Sequence, residues 1–390
     1  MRESKALLMP EPKPQVSRPA LHDLPRPLLA LAPMQDITDL AFWNLQADYG
    51  EADLVYTPYF RVHATSRLNR TLLGSITQSP PHRRVIAQII GEDIPSIVRT
   101  ALELQQYRIA AIDLNLGCPA PIVCRKKVGG GLLRIRDKID AILAALRSAV
   151  TIPLTVKTRL GYDSTEAFVD LLELFRKNSI DLLTVHARTV KDMYGGHVQY
   201  DLISEAVRKL SCPVLANGDI VNPQQGLDIL SCTGAHGLMV GRGAIRNPWI
   251  FAQIRAMVAG RSPIYPTGRE MRDYLLHLQQ SVRWAGGTEH QHVERMKKHL
   301  QFIGPGIDPS GLFLHQILRV RTVAEFDRVV HQWLDHRKVL PLSLHSEDPP
   351  AISVPHLMPE EKREKPSREL RIPELFSHGT GPSKWPLEVR

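Results

Sequence analysis

At 390 residues and 43% hydrophobic content the chain has enough apolar material for a sizeable core, and no apolar run approaches the ~18 residues of a membrane-spanning helix. The four cysteines, Cys118, Cys124, Cys212 and Cys232, form no CxxC pair and have no histidine partner at zinc-finger spacing, which reads as reduced thiols, a cytoplasmic setting and no structural metal. Net charge is +9; residues 341–390 carry −1, so residues 1–340 carry +10, an excess that suits a polyanionic partner rather than a membrane.

Residues 1–27 contain Pro10, Pro12, Pro14, Pro19, Pro25 and Pro27 and read as an extended or disordered lead-in, and Ala6–Met9 is too short for a signal-peptide core. From Leu28 a unit recurs, a short apolar run ending in polar residues or glycine. The eight runs are Leu28–Ala32, Asp53–Thr57, Val85–Ile90, Ala111–Leu116, Leu154–Thr158, Leu182–His186, Val214–Asn217 and Gly237–Val240. Between them, helical spacing appears over Ile94–Leu104, Ile139–Leu146, Ala167–Phe175, Leu202–Leu210 and Pro223–Leu230. Strands buried on both faces read as continuous apolar runs, as these do. Eight such alternations predict an α/β fold, a parallel (β/α)8 barrel over 28–260. A doubly wound open sheet fits less well, because no GxGxxG follows the first run.

Residues 261–340 change character. Amphipathic helices are predicted over Met271–Trp284, Val293–Ile303, Leu312–Leu318 and Val323–Leu334, with breaks at Gly286-Gly287 and Gly304-Pro305-Gly306. This is a small helical bundle with twelve Lys and Arg against eight Asp and Glu. Residues 341–390 are rich in proline and charge, without periodicity, and read as a disordered tail.

In a barrel of this type the chemistry lies at the C-terminal ends of the strands. The first run ends in Ala32-Pro33-Met34, the third carries Gln88, and the fourth ends in Asn115-Leu116-Gly117-Cys118. The fifth carries Lys157 and Arg159, and the sixth ends at His186 and Arg188. The seventh ends in Asn217-Gly218-Asp219 and the eighth in Gly241-Arg242-Gly243, the two loops where barrels commonly hold a phosphate. Cys118 sits between Gly117 and Pro119, ahead of Arg125, Lys126 and Lys127 and the flexible Gly129-Gly130-Gly131. Such a thiol is either a reactive group or a buried structural cysteine. Lys157, inside a barrel mouth, needs an anionic partner or loses its proton.

With these strand ends assembled, the chain resembles the tRNA-dihydrouridine synthases. The matching segments are Ala32–Asp39, Gln88–Gly91, Leu114–Pro119, Val156–Gly161, Val185–Thr189, Ala216–Ile220 and Met239–Gly243, followed by Asn247–Phe251. More weakly, Arg295-Met-Lys-Lys-His-Leu300 resembles that family's basic, RNA-contacting helix, although Phe302-Ile303 stand where aromatics often follow it, and the tail has no counterpart. The resemblance implies an FMN barrel with a helical tRNA-binding domain that reduces a tRNA uridine, with NADPH as reductant. Ala32, Pro33, Met34 and Gln88 would hold the flavin ring, with Lys157 near its N1–O2 edge and His186 beside it. Asn217, Gly218, Asp219, Gly241 and Arg242 would take the phosphate end. Cys118 would be the proton donor and Asn115 would line the uracil pocket. Arg159, Arg188, Lys297 and Lys298 would meet the substrate RNA, with Arg61, Arg67, Arg70, Arg125, Lys126, Lys127 and His299 as further basic candidates. The implied state is a monomer. Two other readings compete: another FMN barrel of the dihydroorotate dehydrogenase or ene-reductase type, and an RNA-binding barrel without chemistry.

Overall fold

The structure, a computed structural model, describes residues 21–284, 286–340 and Leu342; the rest of the predicted lead-in and tail lies outside them. Nine strand segments occur: β1 (Leu28–Leu31), β2 (Leu54–Tyr56), β3 (Phe60–Arg61), β4 (Arg84–Ile90), β5 (Ala111–Leu116), β6 (Leu154–Arg159), β7 (Leu182–His186), β8 (Val214–Asn217) and β9 (Gly237–Val240). Every pairing is parallel. The sheet closes because β1 pairs with both β2 and β9, while β2 pairs with β4. β3 pairs with Ile89 and Ile90 of β4, just past the β2 register, so β2 and β3 are one barrel strand in two pieces. Pro58 lies in the gap and has no N–H for the ladder. The fold is therefore the expected eight-stranded (β/α)8 barrel, its second strand interrupted rather than ending at Thr57.

Side chains alternate along each strand, and two cores result. Outward residues such as Ile112, Leu114, Val156 and Val185 pack against the surrounding helices. Inward residues at the N-terminal end form a separate apolar plug of Leu28, Ala30, Leu54, Tyr56, Ile86, Ala111, Leu182, Leu215 and Met239. Leu21 and Leu24 join this plug, so that stretch of the predicted lead-in is packed. Farther along the same strands the buried residues are polar: Gln88, Asp113, Asn115, Thr155, Arg159, Thr184, His186 and Asn217. The interior is thus apolar at one end and polar at the other.

The helices Ile94–Leu104 and Val323–Leu334 fall where periodicity places them. Leu40–Gly50, Arg70–Thr77, Pro121–Arg125, Arg242–Arg246 and Ile250–Val258 carry no spacing signal strong enough to predict them. Gly129-Gly130-Gly131 is a correction: it is a buried 3₁₀ turn, not a flexible loop. A Cβ on Gly130 would lie 2.6 Å from Val190 and 2.8 Å from the Cys118 carbonyl, so glycine permits close packing there.

After the barrel come helices Gly268–Ser281, Glu289–Ile307, Leu312–Ile317 and Val323–Leu334. Thr267 with Glu270 and Thr288 with Gln291 form capping boxes that fix the first two starts. Met271, Leu275, Leu278, Val293, Met296, Leu300, Phe326 and Val330 bury one face of each helix they stand on. The predicted break at Gly304-Pro305-Gly306 does not occur, because the helix runs on to Ile307. Pro305 falls in the last turn, and Cβ atoms on Gly304 and Gly306 would lie 2.8 Å from Leu314 and 2.9 Å from Arg246. These glycines serve packing, not chain reversal. Among the described residues no helix is long and apolar enough to cross a membrane.

Barrel closure gives a direct test. A Cβ on Gly237 would lie 2.1 Å from the Leu28 carbonyl oxygen. Gly237→Ala should lower unfolding free energy by about 3 kcal/mol, the upper end of ordinary overpacking, measured by chemical denaturation. An unchanged midpoint would show that the β1–β9 seam yields easily.

Candidate active site

Parallel strands deliver their C-terminal ends to one face, so Ala32, Gln88, Asn115, Cys118, Lys157, Arg159, His186, Asn217 and Gly241 converge at one mouth. The centre of this face is a hydrogen-bonded chain. Asp113 is fully buried and accepts from Thr155 Oγ1 at 2.6 Å and Gln88 Nε2 at 2.8 Å. Gln88 Oε1 in turn accepts from Asn115 Nδ2 at 2.8 Å. Asn115 Oδ1 accepts the backbone N–H groups of Gly117 and Cys118, both at 3.0 Å. Each amide is oriented by its neighbours, and one N–H of Gln88 and one of Asn115 are left for a ligand. Burial raises the Asp113 carboxyl from its ordinary 3.8 to about 6, against the pull of Thr155, Gln88 and Lys157.

Cys118 is half-buried. Burial raises its thiol pKa, and Arg159, Lys157 and the hydroxyl of Tyr59 only partly oppose this. The thiol is therefore not activated by the basic run that follows it, and stays protonated at neutral pH. Gly129 packs beneath it, where a Cβ would lie 3.1 Å from Cys118 Cβ.

The strands next to it carry the cations, and β6 sets Lys157 directly beside Asn115. Lys157 Nζ donates to Asn217 Oδ1 at 3.2 Å, and burial together with Arg159 lowers its pKa to about 8. Arg159 donates to the carbonyls of Gly117 at 2.9 Å and Thr189 at 2.7 Å. His186 is held well below its ordinary pKa, first by burial and then by Arg159, Lys157, Arg188 and Arg242, so its ring is neutral. Gly218 takes a φ of 127°, and a Cβ there would lie 3.4 Å from the His186 ring. Gly241 faces Ala32 Cβ and Met34 Sδ, 3.4 and 3.7 Å from where its own Cβ would be.

Arg188 departs from expectation. It is 2% exposed and turned inward, pairing both terminal nitrogens with Asp219 and donating to the carbonyls of Gly195 and Gly196. Arg242 donates to the same carboxylate at 3.1 Å. Lys297 and Lys298 stand on the helix Glu289–Ile307 behind the barrel strands; Lys297 pairs with Glu294 at 2.7 Å, and Lys298 lies 3.9 Å from Asp36 in the turn after β1.

Two aromatic residues escaped the sequence reading. Tyr194, on the loop after β7, lies 5.5 Å from Arg159, 5.3 Å from Arg242 and 6.4 Å from the His186 ring. Tyr59, in the gap between β2 and β3, stands beside Cys118 with Arg61 over its ring at 5.7 Å. Neither carries a local sequence signal. Asp113 did: it is a carboxylate inside an apolar run, two residues before Asn115 and so on the same face of β5.

The Asp113 carboxyl titrates higher in the folded chain than in the unfolded one, so the native state binds the extra proton between about pH 4 and 6. Stability then falls as pH rises through that window and levels off above it. Relative to Asp113→Asn, the wild-type unfolding free energy should drop by about 3 kcal/mol from pH 4 to pH 6.5, read from denaturation curves. Parallel curves for the two proteins would mean that this carboxyl does not titrate there.

The dihydrouridine synthase (Dus) family pattern matches residues 30–331. The chain is 35% identical over 227 residues to tRNA-dihydrouridine synthase B of Pseudomonas putida, covering 58% of this chain and 67% of that one. It is 30% identical to tRNA-dihydrouridine synthase B of Pasteurella multocida over 73% of this chain and 85% of the relative. With a probable tRNA-dihydrouridine synthase of Staphylococcus aureus it shares 28% over 312 residues, 78% of this chain and 92% of the relative. A solved 2-naphthoyl-CoA reductase complex matches 60% of this chain at 11% identity and a TM-score of 0.47; the chain spans half of that structure's length, and the likeness bears on neither activity nor cofactor. The match along nearly the whole barrel and the helices behind it makes this chain a member of the dihydrouridine synthase family of oxidoreductases.

Proposed function

We propose that the chain reduces the C5–C6 double bond of a uridine in tRNA, using FMN in the barrel mouth and NADPH as reductant. The observation that carries this reading is Cys118, a thiol kept protonated by burial at the lip of a cationic mouth. Reduction of that bond needs a hydride at one carbon and a proton at the other. Bound in the mouth, FMN would supply the hydride. Cys118 Sγ–H would supply the proton, and a group that is mostly protonated yet able to release suits general-acid work.

The residues fit an anionic, planar group. Lys157 is half-buried, with a neutral amide oxygen as its hydrogen-bond partner and Asp113 as its nearby carboxylate, and a pKa of about 8 makes its charge responsive to a further anion. Ala32, Pro33 and Met34, with Gln88 across the mouth, would hold the ring, and neutral His186 would lie beside it. Gly218 and Gly241 bring bare backbone to the rim, and Asn217 and Arg242 flank them, a donor set suited to a phosphate. Asp219 would act indirectly here, by pinning Arg242. Arg188, paired with Asp219, would pin it in its turn rather than meet RNA.

Asn115 would use its remaining N–H on the uracil, and Arg159 would face the substrate beneath Tyr194. A base reaches such a mouth only by leaving the RNA stack, which costs less in a loop than in a duplex. Arg125, Lys126 and Lys127 are exposed just beyond Cys118, have no acidic partner among the described residues, and would take phosphates. Free thiols at all four cysteines accord with a reducing, cytoplasmic compartment. A tRNA-binding role for the helices over 261–340 belongs to the same proposal.

Purified protein should show flavin absorption, or acquire it with FMN. No flavin bands even after FMN is added would end the reading. Cys118→Ala should keep FMN and tRNA binding and lose about 10²–10⁴-fold in turnover, the usual worth of a positioned acid. Unchanged turnover would remove the proton-donor role. Replacing Arg125, Lys126 and Lys127 together by alanine should reduce the salt slope of tRNA binding by about two to three, roughly one per lost phosphate contact. An unchanged slope would place the RNA elsewhere.

A further inference from the structure

The segment Arg295–Leu300 resembles an RNA-contacting helix, yet two of its basic residues face the barrel. Arg295 and His299 are one helical turn apart and lie on one face of Glu289–Ile307. Both reach the turn that follows β1. Arg295 pairs with Asp39 Oδ2, while Asp39 Oδ1 caps the helix Leu40–Gly50 by accepting from Phe42 N at 3.2 Å. His299 is 1% exposed and lies against Phe42, with ring centroids 5.7 Å apart and planes at 21°. Its Nε2 is 3.3 Å from the Ile37 carbonyl and its Nδ1 is 3.3 Å from the Arg295 carbonyl.

A neutral imidazole has one N–H to give. The Arg295 carbonyl sits inside the helix, where the backbone N–H of His299 serves it. The Ile37 carbonyl has no backbone donor among the described residues, so His299 is its partner. A buried carbonyl left without a donor is destabilising, because its lost water is not replaced. The turn it belongs to is tight. Ile37 and Thr38 both donate to the Met34 carbonyl, Thr38 Oγ1 bridges Met34 N at 2.7 Å and the Ala32 carbonyl at 3.1 Å, and Asp36 takes a φ of 60°. Anything that moves Ile37 therefore moves Ala32 and Met34.

We propose that Arg295 and His299 are positioning residues for the first-strand lip of the mouth, holding it from outside the barrel through Asp39 and the Ile37 carbonyl, and are not RNA contacts. The consequence for flavin rests on the function proposed above; the mechanical claim does not. Three measurements on the full chain decide it: FMN affinity by fluorescence titration, amide exchange of residues 32–39, and the salt slope of tRNA binding. His299→Leu should speed exchange in that turn, weaken FMN about ten-fold and leave the tRNA salt slope unchanged. His299→Gln, which keeps a donor, should recover most of the FMN affinity. If His299→Leu does not fold, Arg295→Met on the half-exposed side of the contact carries the same expectations. Unchanged exchange in residues 32–39, or a reduced tRNA salt slope, would overturn the proposal. If wild type takes up no FMN, the flavin reading fails, and exchange and salt slope still decide the positioning claim.

Discussion

A single buried carboxylate organises the working end of this barrel. Asp113 sits where the inward side chains change from apolar to polar, and it must be hydrogen-bonded to be tolerated. Thr155 and Gln88 meet that need, Gln88 orients Asn115, and Asn115 holds the amides of Gly117 and Cys118. The thiol's position is thus the last link of a chain that starts on the barrel axis. Cys118 does not need a rigid loop of its own, because the strand beneath it supplies one.

Burial is the leading influence on every shifted group at the mouth. On the Cys118 side burial dominates, and the thiol keeps its proton despite nearby cations. On the neighbouring strands burial, helped by Arg159, loosens the proton of Lys157, and burial, helped by Arg159, Lys157, Arg188 and Arg242, keeps His186 neutral. Asp219 compensates part of this charge through Arg188 and Arg242.

The helices after the barrel are more than an appendage. Glu289–Ile307 touches the turn that follows Ala32 and Met34, through Arg295 on Asp39 and His299 on the Ile37 carbonyl. On the same helix Lys297 is mostly covered and pairs with Glu294, while the exposed Lys298 lies 3.9 Å from Asp36 in that same turn.

Continuous apolar runs determined most of the barrel. β5, β7, β8 and β9 fall on the predicted residues, because strands buried on both faces leave an unmistakable run. The strand-end residues were legible for the same reason, since each run stops where polar chemistry begins. Helices such as Leu40–Gly50 were not legible: Phe42, Trp43, Leu45 and Gln46 are all buried, which erases the one-sided period. Tyr59 and Tyr194 come from connecting segments, and only the closed barrel brings them to Cys118 and to the arginines. The sequence by itself determined which residues could do chemistry, because residue type and strand period are local properties. Which way Arg188 and His299 face, and the pKa of Cys118, only the tertiary structure decided, because burial and pairing depend on neighbours distant in the chain.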